Sequence, residues 1–201
     1  MTKNLRNDLR LISSLIEENE KVLDVGCGNG NLIEFLSKEK NVDCKGIEIE
    51  LEKMNFCLKK GLSVVQGDAN YDLNDFSDNS FSTVILSQTI QATIFPEKVI
   101  KNLIRIGKRA IISFPNFGFW KVRKDFFFSG KMPKNKILSY EWFDTPNIHL
   151  CSVNDFIQLC DKNRIKINEK VLLNEDGKKL WFDSFLENLL TYQVIFCVSK
   201  K

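Results

Sequence analysis

Val22-Leu23-Asp24-Val25-Gly26-Cys27-Gly28-Asn29-Gly30-Asn31 is the stretch on which the fold turns. Its first four residues form a short, mostly apolar run of the kind a buried strand needs, and three alternate glycines then break it. Leu32, Ile33 and Leu36 follow at helical spacing, so the unit is strand, glycine loop, helix. Downstream the same alternation continues, with strands expected at 44–49, 62–66, 81–87 and 109–114 and a helix at 51–60. Pro96 opens another helix, at a position where its missing N–H costs nothing, and Val99, Ile100, Leu103 and Ile104 form its apolar face. Repeated strand-helix-strand units predict a mostly parallel sheet, because parallel strands need crossovers and the crossover helices bury their apolar sides on the sheet.

Upstream, Leu5, Leu9, Ile12, Leu15 and Ile16 predict an amphipathic helix within residues 1–18. The regular pattern ends at Pro115, and residues 117–148 show no clear period. Ser152 and Asp155 have capping-box spacing at the head of a further helix. Strand-like runs close the chain at 165–173 and 192–198, and the apolar spacing of 179–190 predicts a helix between them.

At 201 residues the expectation is one domain, and an excess of Lys and Arg over Asp and Glu of only +3 argues against nucleic acid as partner. Six cysteines without a C-x-x-C pair, and charges at Arg6, Asp8 and Arg10 where a signal peptide would be apolar, predict a reduced cytoplasmic protein. No apolar run approaches the roughly 18 residues a membrane span needs. With His149 the only histidine, no metal site is expected.

A glycine loop after the first strand of such a sheet is where nucleotides bind, and the acids around it narrow the choice. Asp24 lies inside the strand just before Gly26, Gly28 and Gly30, whose register is not G-x-G-x-x-G. A pyrophosphate is repelled by Asp24, whereas a ligand carrying an amine and a sulfonium is attracted, which disfavours a nicotinamide nucleotide. Glu48 ends the second strand where it can accept from both ribose hydroxyls, and Asp68 ends the third where it can accept from an exocyclic adenine amine beside the Ala69 N–H. Taken singly, each has a plainer explanation: glycines for close packing, Glu48 as a solvated strand end, Asp68 as a turn residue, Cys27 as a small filler. Together, the loop, Glu48 and Gln66-Gly67-Asp68 resemble the class I S-adenosylmethionine-dependent methyltransferase superfamily. That resemblance implies a Rossmann-like α/β fold with a seven-stranded, mostly parallel sheet whose last strand is antiparallel. It also implies S-adenosylmethionine or S-adenosylhomocysteine held by Asp24, Gly26, Cys27, Gly28, Asn29, Gly30, Glu48, Ile49, Gly67, Asp68, Ala69, Ser87 and Gln88.

Longer runs point to a narrower family. Val84-Ile-Leu-Ser-Gln-Thr-Ile-Gln-Ala-Thr93, Ala110-Ile-Ile-Ser-Phe-Pro-Asn-Phe-Gly118 and Tyr140-Glu-Trp-Phe-Asp-Thr-Pro-Asn-Ile-His-Leu-Cys151 resemble the methionine biosynthesis protein MetW family, over about residues 20–163. The resemblance implies a role in methionine synthesis beside a homoserine O-acyltransferase of the α/β-hydrolase type. The alternative is an active methyltransferase on a small-molecule acceptor, for which His149, Tyr140 and Asp144 are the catalytic candidates. His149 without an identifiable orienting partner reads first as a residue fixing the entry to the Ser152 helix. Residues 117–143 carry nine aromatic rings interleaved with basic residues. They form either a partner surface, anchored by residues such as Trp120 and Trp142, or a lid packed over the pocket.

Overall fold

The computed structural model describes residues 5–181 and 184–201. Its elements, in order, are α1 (Asn7–Ser14), β1 (Lys21–Val25), α2 (Asn31–Lys40), β2 (Asp43–Glu48), α3 (Leu51–Lys59), β3 (Val64–Gln66), β4 (Phe81–Ser87), α4 (Pro96–Ile106) and β5 (Gly107–Pro115). The chain continues through α5 (Trp120–Ser129), α6 (Val153–Lys162), β6 (Ile165–Leu173), β7 (Lys179–Leu180), α7 (Ser184–Leu190) and β8 (Gln193–Lys200). The strands form one sheet in the order β3-β2-β1-β4-β5-β8-β6-β7. β1 to β5 are mutually parallel, and β8 runs antiparallel between β5 and β6. This is the expected class I methyltransferase architecture with one correction. The sheet has eight strands, because the two-residue β7 pairs antiparallel with Leu172 and Leu173. Of the helix expected over 179–190, 179–180 form β7 and 184–190 form α7, and of that expected within 1–18 the described part is helical over α1; residues 1–4 and 182–183 lie outside the described part.

Strands buried on both faces need apolar side chains on both, which is why Val22, Leu23 and Val25 are all inaccessible. One face is covered by α4 and α6, where Phe156 stacks on Phe196 with ring centroids 4.6 Å apart and lies 5.1 Å from Phe114. Ile12 and Ile16 from the α1 region, with Leu32, Ile33 and Leu36 of α2, cover the other. Pro96 stands at the start of α4, and the Ser152–Asp155 capping box forms at the head of α6. Among the described residues no helix is long and apolar enough to cross a membrane.

The aperiodic segment after β5 contains a helix that its sequence hides. In α5 only Val122 is buried, so the apolar residues do not fall on one face. The segment is held from beneath by Phe117, Phe119, Val122, Ile137 and Leu138, packed with Tyr192. Other rings of the aromatic run are exposed to solvent. Phe127 and Phe128 are 81% and 78% exposed, Trp142 74% and Trp120 38%.

Candidate functional site

The carboxyl ends of β1 to β4 meet at one edge of the sheet. Gly26 and Cys27 donate their N–H groups to the Ile47 carbonyl at 2.8 and 3.1 Å, which binds the loop after β1 to β2. Gly26, Gly28 and Gly30 all have left-handed backbones, with φ of +73°, +57° and +70°. Their surroundings differ. A methyl group on Gly26 would lie 2.7 Å from Thr89 Oγ1, so this loop rests against the turn after β4, whereas one on Gly28 would meet nothing within 4 Å. Asn29 accepts at its carbonyl from Lys60 Nζ, 3.2 Å away.

Glu48 is buried, and its oxygens are held by backbone. Oε2 accepts from the Gly28 N–H at 2.7 Å and Oε1 from the Glu50 N–H at 3.0 Å. An ionised carboxylate has about four acceptor positions, so two hydroxyls can still be received. Asp24 is also buried, and desolvation raises its pKa from 3.8 to about 7, with the Glu48 charge adding to the shift and Arg6 opposing it. The same chemistry pushes the Cys27 thiol up, through burial first and the Asp24 charge second, the opposite of what activates a nucleophile.

The Asp24 shift carries a stability consequence. A carboxyl whose folded pKa exceeds its unfolded one binds the extra proton in the native state, so stability falls as pH rises from about 4 to about 7 and is then flat. Asp24→Asn removes that titration, worth on the order of 4 kcal/mol when complete. The variant is expected to melt above wild type at pH 8 by a margin that narrows at pH 5. Melting curves with the same difference at both pH values would show that Asp24 ionises normally.

Around β3 and β4 the site is built from short polar contacts. Asp68 Oδ1 accepts from the Asn70 N–H at 2.8 Å and from Asn70 Nδ2 at 2.7 Å, and the Asp68 N–H donates to Asp72 Oδ2. Asn70, absent from the sequence-based candidates, accepts at Oδ1 from the Ile94 and Phe95 N–H groups and so ties the β3 loop to the segment after β4. Its only signal in sequence is the Asp-x-Asn spacing of a side-chain turn. The Gly67 N–H donates to the Glu48 carbonyl, Ala69 packs on the core, and Ile49 is exposed beside them. Ser87 Oγ lies 3.1 Å from Ser113 Oγ. Gln88 holds a left-handed backbone at φ +54°, a strained conformation for a residue with a side chain.

The strap that leads to α6 is fastened to this edge. The Gln91 carbonyl accepts from both the Ile148 and His149 N–H groups, and His149 Nε2 lies 3.3 Å from the Ile94 carbonyl. Tyr140 is exposed. Asp144 is exposed, and its N–H donates to the Glu141 carbonyl. Tyr140, Asp144 and His149 thus share a strap, but no hydrogen bond joins their side chains among the described residues.

The family model for the methionine biosynthesis protein MetW matches residues 6–198. The bifunctional methionine biosynthesis protein MetXA/MetW of Rhodopirellula baltica is 30% identical over an alignment of 181 positions that covers 86% of this chain and 29% of that protein. The chain thus spans under a third of that relative's length. Among solved structures, a SAM-dependent methyltransferase from Archaeoglobus fulgidus superposes with a TM-score of 0.66 at 18% identity, covering 96% of this chain and 91% of that one. A TehB-like SAM-dependent methyltransferase from Corynebacterium glutamicum gives 0.65 at 17% identity, covering 98% and 89%. At such identities these two speak for the fold alone. The family match, which spans nearly the whole chain and both the glycine loop and the strap, is what assigns this chain to the methionine biosynthesis protein MetW family.

Proposed function

We propose that the crevice at the ends of β1 to β4 holds S-adenosylmethionine or S-adenosylhomocysteine, and that the protein supports homoserine O-acylation by a partner acyltransferase of the α/β-hydrolase type. The observation that carries the ligand is the buried Glu48 carboxylate held to the open Gly28 backbone, with Asp24 buried on the strand that leads into the loop. Carboxylates only accept when ionised, so the ligand they fit presents donors and positive charge. Asp24 would take the ammonium end, Glu48 the ribose hydroxyls, and Asp68 with the Ala69 N–H the adenine edge, while Ile49, Ser87 and Gln88 line the approach. When bound, adenosylmethionine supplies a methyl group activated on sulfur, or a signal that the pathway's end product is plentiful. The partner is supported by the Rhodopirellula baltica relative, which is named for both MetXA and MetW.

Calorimetry with adenosylmethionine, adenosylhomocysteine and NAD tests the ligand: the first two bind and NAD does not. Glu48→Ala is expected to lower adenosylmethionine affinity about tenfold to a hundredfold, the worth of charge-assisted hydrogen bonds of about 1.5 to 3 kcal/mol. Unchanged affinity in this variant would sink the assignment. Copurification with the acyltransferase, followed by acylation assays with and without adenosylmethionine, tests the role. Turnover of adenosylmethionine on a small acceptor, without any effect on acylation, would instead favour a methyltransferase.

A further inference from the structure

A cavity of about 400 Å³ lies beyond the end of β5 between α5, α6 and α7. Its lining shares no residue with the glycine-loop crevice. Phe117, Val122, Phe126, Met132 and Leu138 form apolar walls, and four polar side chains, Arg123, Ser152, Asp155 and Asn188, interrupt them.

Gly118 brings Arg123 and Asn188 together. The Arg123 Nε donates to the Gly118 carbonyl at 2.6 Å, and a methyl group on Gly118 would stand only 2.8 Å from Asn188 Oδ1. Asn188 Oδ1 is buried and accepts no hydrogen bond among the described residues, while the backbone carbonyl of the same residue accepts from Asn116 Nδ2. A buried acceptor left without a donor is costly, and such groups in native folds call for an explanation. Asp155 uses Oδ2 for the Ser152 N–H and hydroxyl, which keeps its charge at the cavity wall. Arg123 forms no ion pair among the described residues, and only Nε of its guanidinium is engaged.

A guanidinium selects a carboxylate, and a carboxylate and a bare amide oxygen in the same cavity lining select an ammonium group. The apolar walls then select a hydrocarbon side chain. We propose that this cavity binds a small zwitterion with an apolar side chain, of the α-amino acid class. Its carboxylate pairs with Arg123 and its ammonium with Asn188 Oδ1 and Asp155. The proposal is independent of what the glycine-loop crevice holds.

The test is a titration of the protein, carrying ¹³C-labelled Met, Val and Leu methyl groups, with L-leucine, 4-methylpentanoate and 3-methylbutylamine. Leucine is expected to shift the Val122, Met132 and Leu138 methyl resonances saturably, and each truncated relative to bind at least about tenfold more weakly. Arg123→Gln should erase the preference for leucine over the amine, and Asn188→Leu the preference over the acid. Asn188 Oδ1 makes no internal hydrogen bond, so a purely structural role predicts no change in the second variant. Should Asn188→Leu fail to fold, Arg123→Gln, at an exposed position, still decides. No saturable shift at millimolar leucine would overturn the proposal, as would equal binding of all three probes, which marks a greasy groove, or selectivity that survives Arg123→Gln.

Discussion

Alanine at Phe127, Phe128 and Trp142 together is expected to weaken capture of the acyltransferase at least about thirtyfold, equivalent to about 2 kcal/mol, while leaving the melting temperature and adenosylmethionine affinity nearly unchanged. The reason is exposure. These rings stand in water, and removing them creates no cavity, so the core-truncation cost of several kcal/mol does not apply. Phe127 and Phe128 meet edge to face at 5.2 Å, as do Trp142 and Phe143 at 5.6 Å, so the rings stand in pairs. Large exposed apolar patches mark interaction surfaces, and these pairs supply the exposed rings the triple variant removes. Trp120 is a weaker anchor, since it is partly covered by Phe119 and has Lys121 and Lys124 within 5.6 and 6.0 Å of its ring. A pull-down at equal strength by wild type and triple variant would refute this surface, and a large drop in melting temperature would return the rings to a packing role.

Gly26→Val and Gly28→Ala are expected to abolish ligand binding by different routes. Valine at position 26 meets two obstacles at once, a left-handed backbone and Thr89 Oγ1 at 2.7 Å from the new Cβ. The loop must then pull away from β4, and the variant should lose stability as well as binding. Alanine at position 28 meets only the backbone cost, about 1 to 2 kcal/mol, because no atom lies within 4 Å of its methyl group. It should therefore stay folded, with its methyl group standing where the ligand lies. Calorimetry and circular dichroism on both variants separate the routes. Full adenosylmethionine affinity in a folded Gly28→Ala protein would place the ligand elsewhere.

The parallel half of the sheet is legible in sequence because burial on both faces turns β1, β4 and β5 into apolar runs, and Pro96 and Ser152 mark their helix starts. α5 is not legible, since a helix that buries only Val122 leaves no periodic trace. β7, with two residues, is too short for any period to register. The acids of the crevice can be picked out by their distance from the glycine loop, but their partners cannot. That Glu48 receives the Gly28 N–H depends on the left-handed turn of the loop, and that Asn70 bridges to Ile94 depends on two loops meeting in space. Neither is a property of local sequence. The strap shows the same limit, because the double hydrogen bond to Gln91 joins residues more than fifty positions apart.

The place of β8 in the sheet sets the order of events during synthesis. It is the last strand in the sequence, yet it lies between β5 and β6, with Ala110 beside Val198 on one side and Ile167 beside Val198 on the other. Until it emerges from the ribosome, both neighbours present unpaired edges, and Phe114 and Phe156 lack Phe196 as a packing partner. β1 to β5 can pair as they are made, but the sheet closes only with β8, through contacts distant in sequence that form slowly. The nascent chain therefore passes through a state with two open strand edges and is exposed to aggregation for that interval.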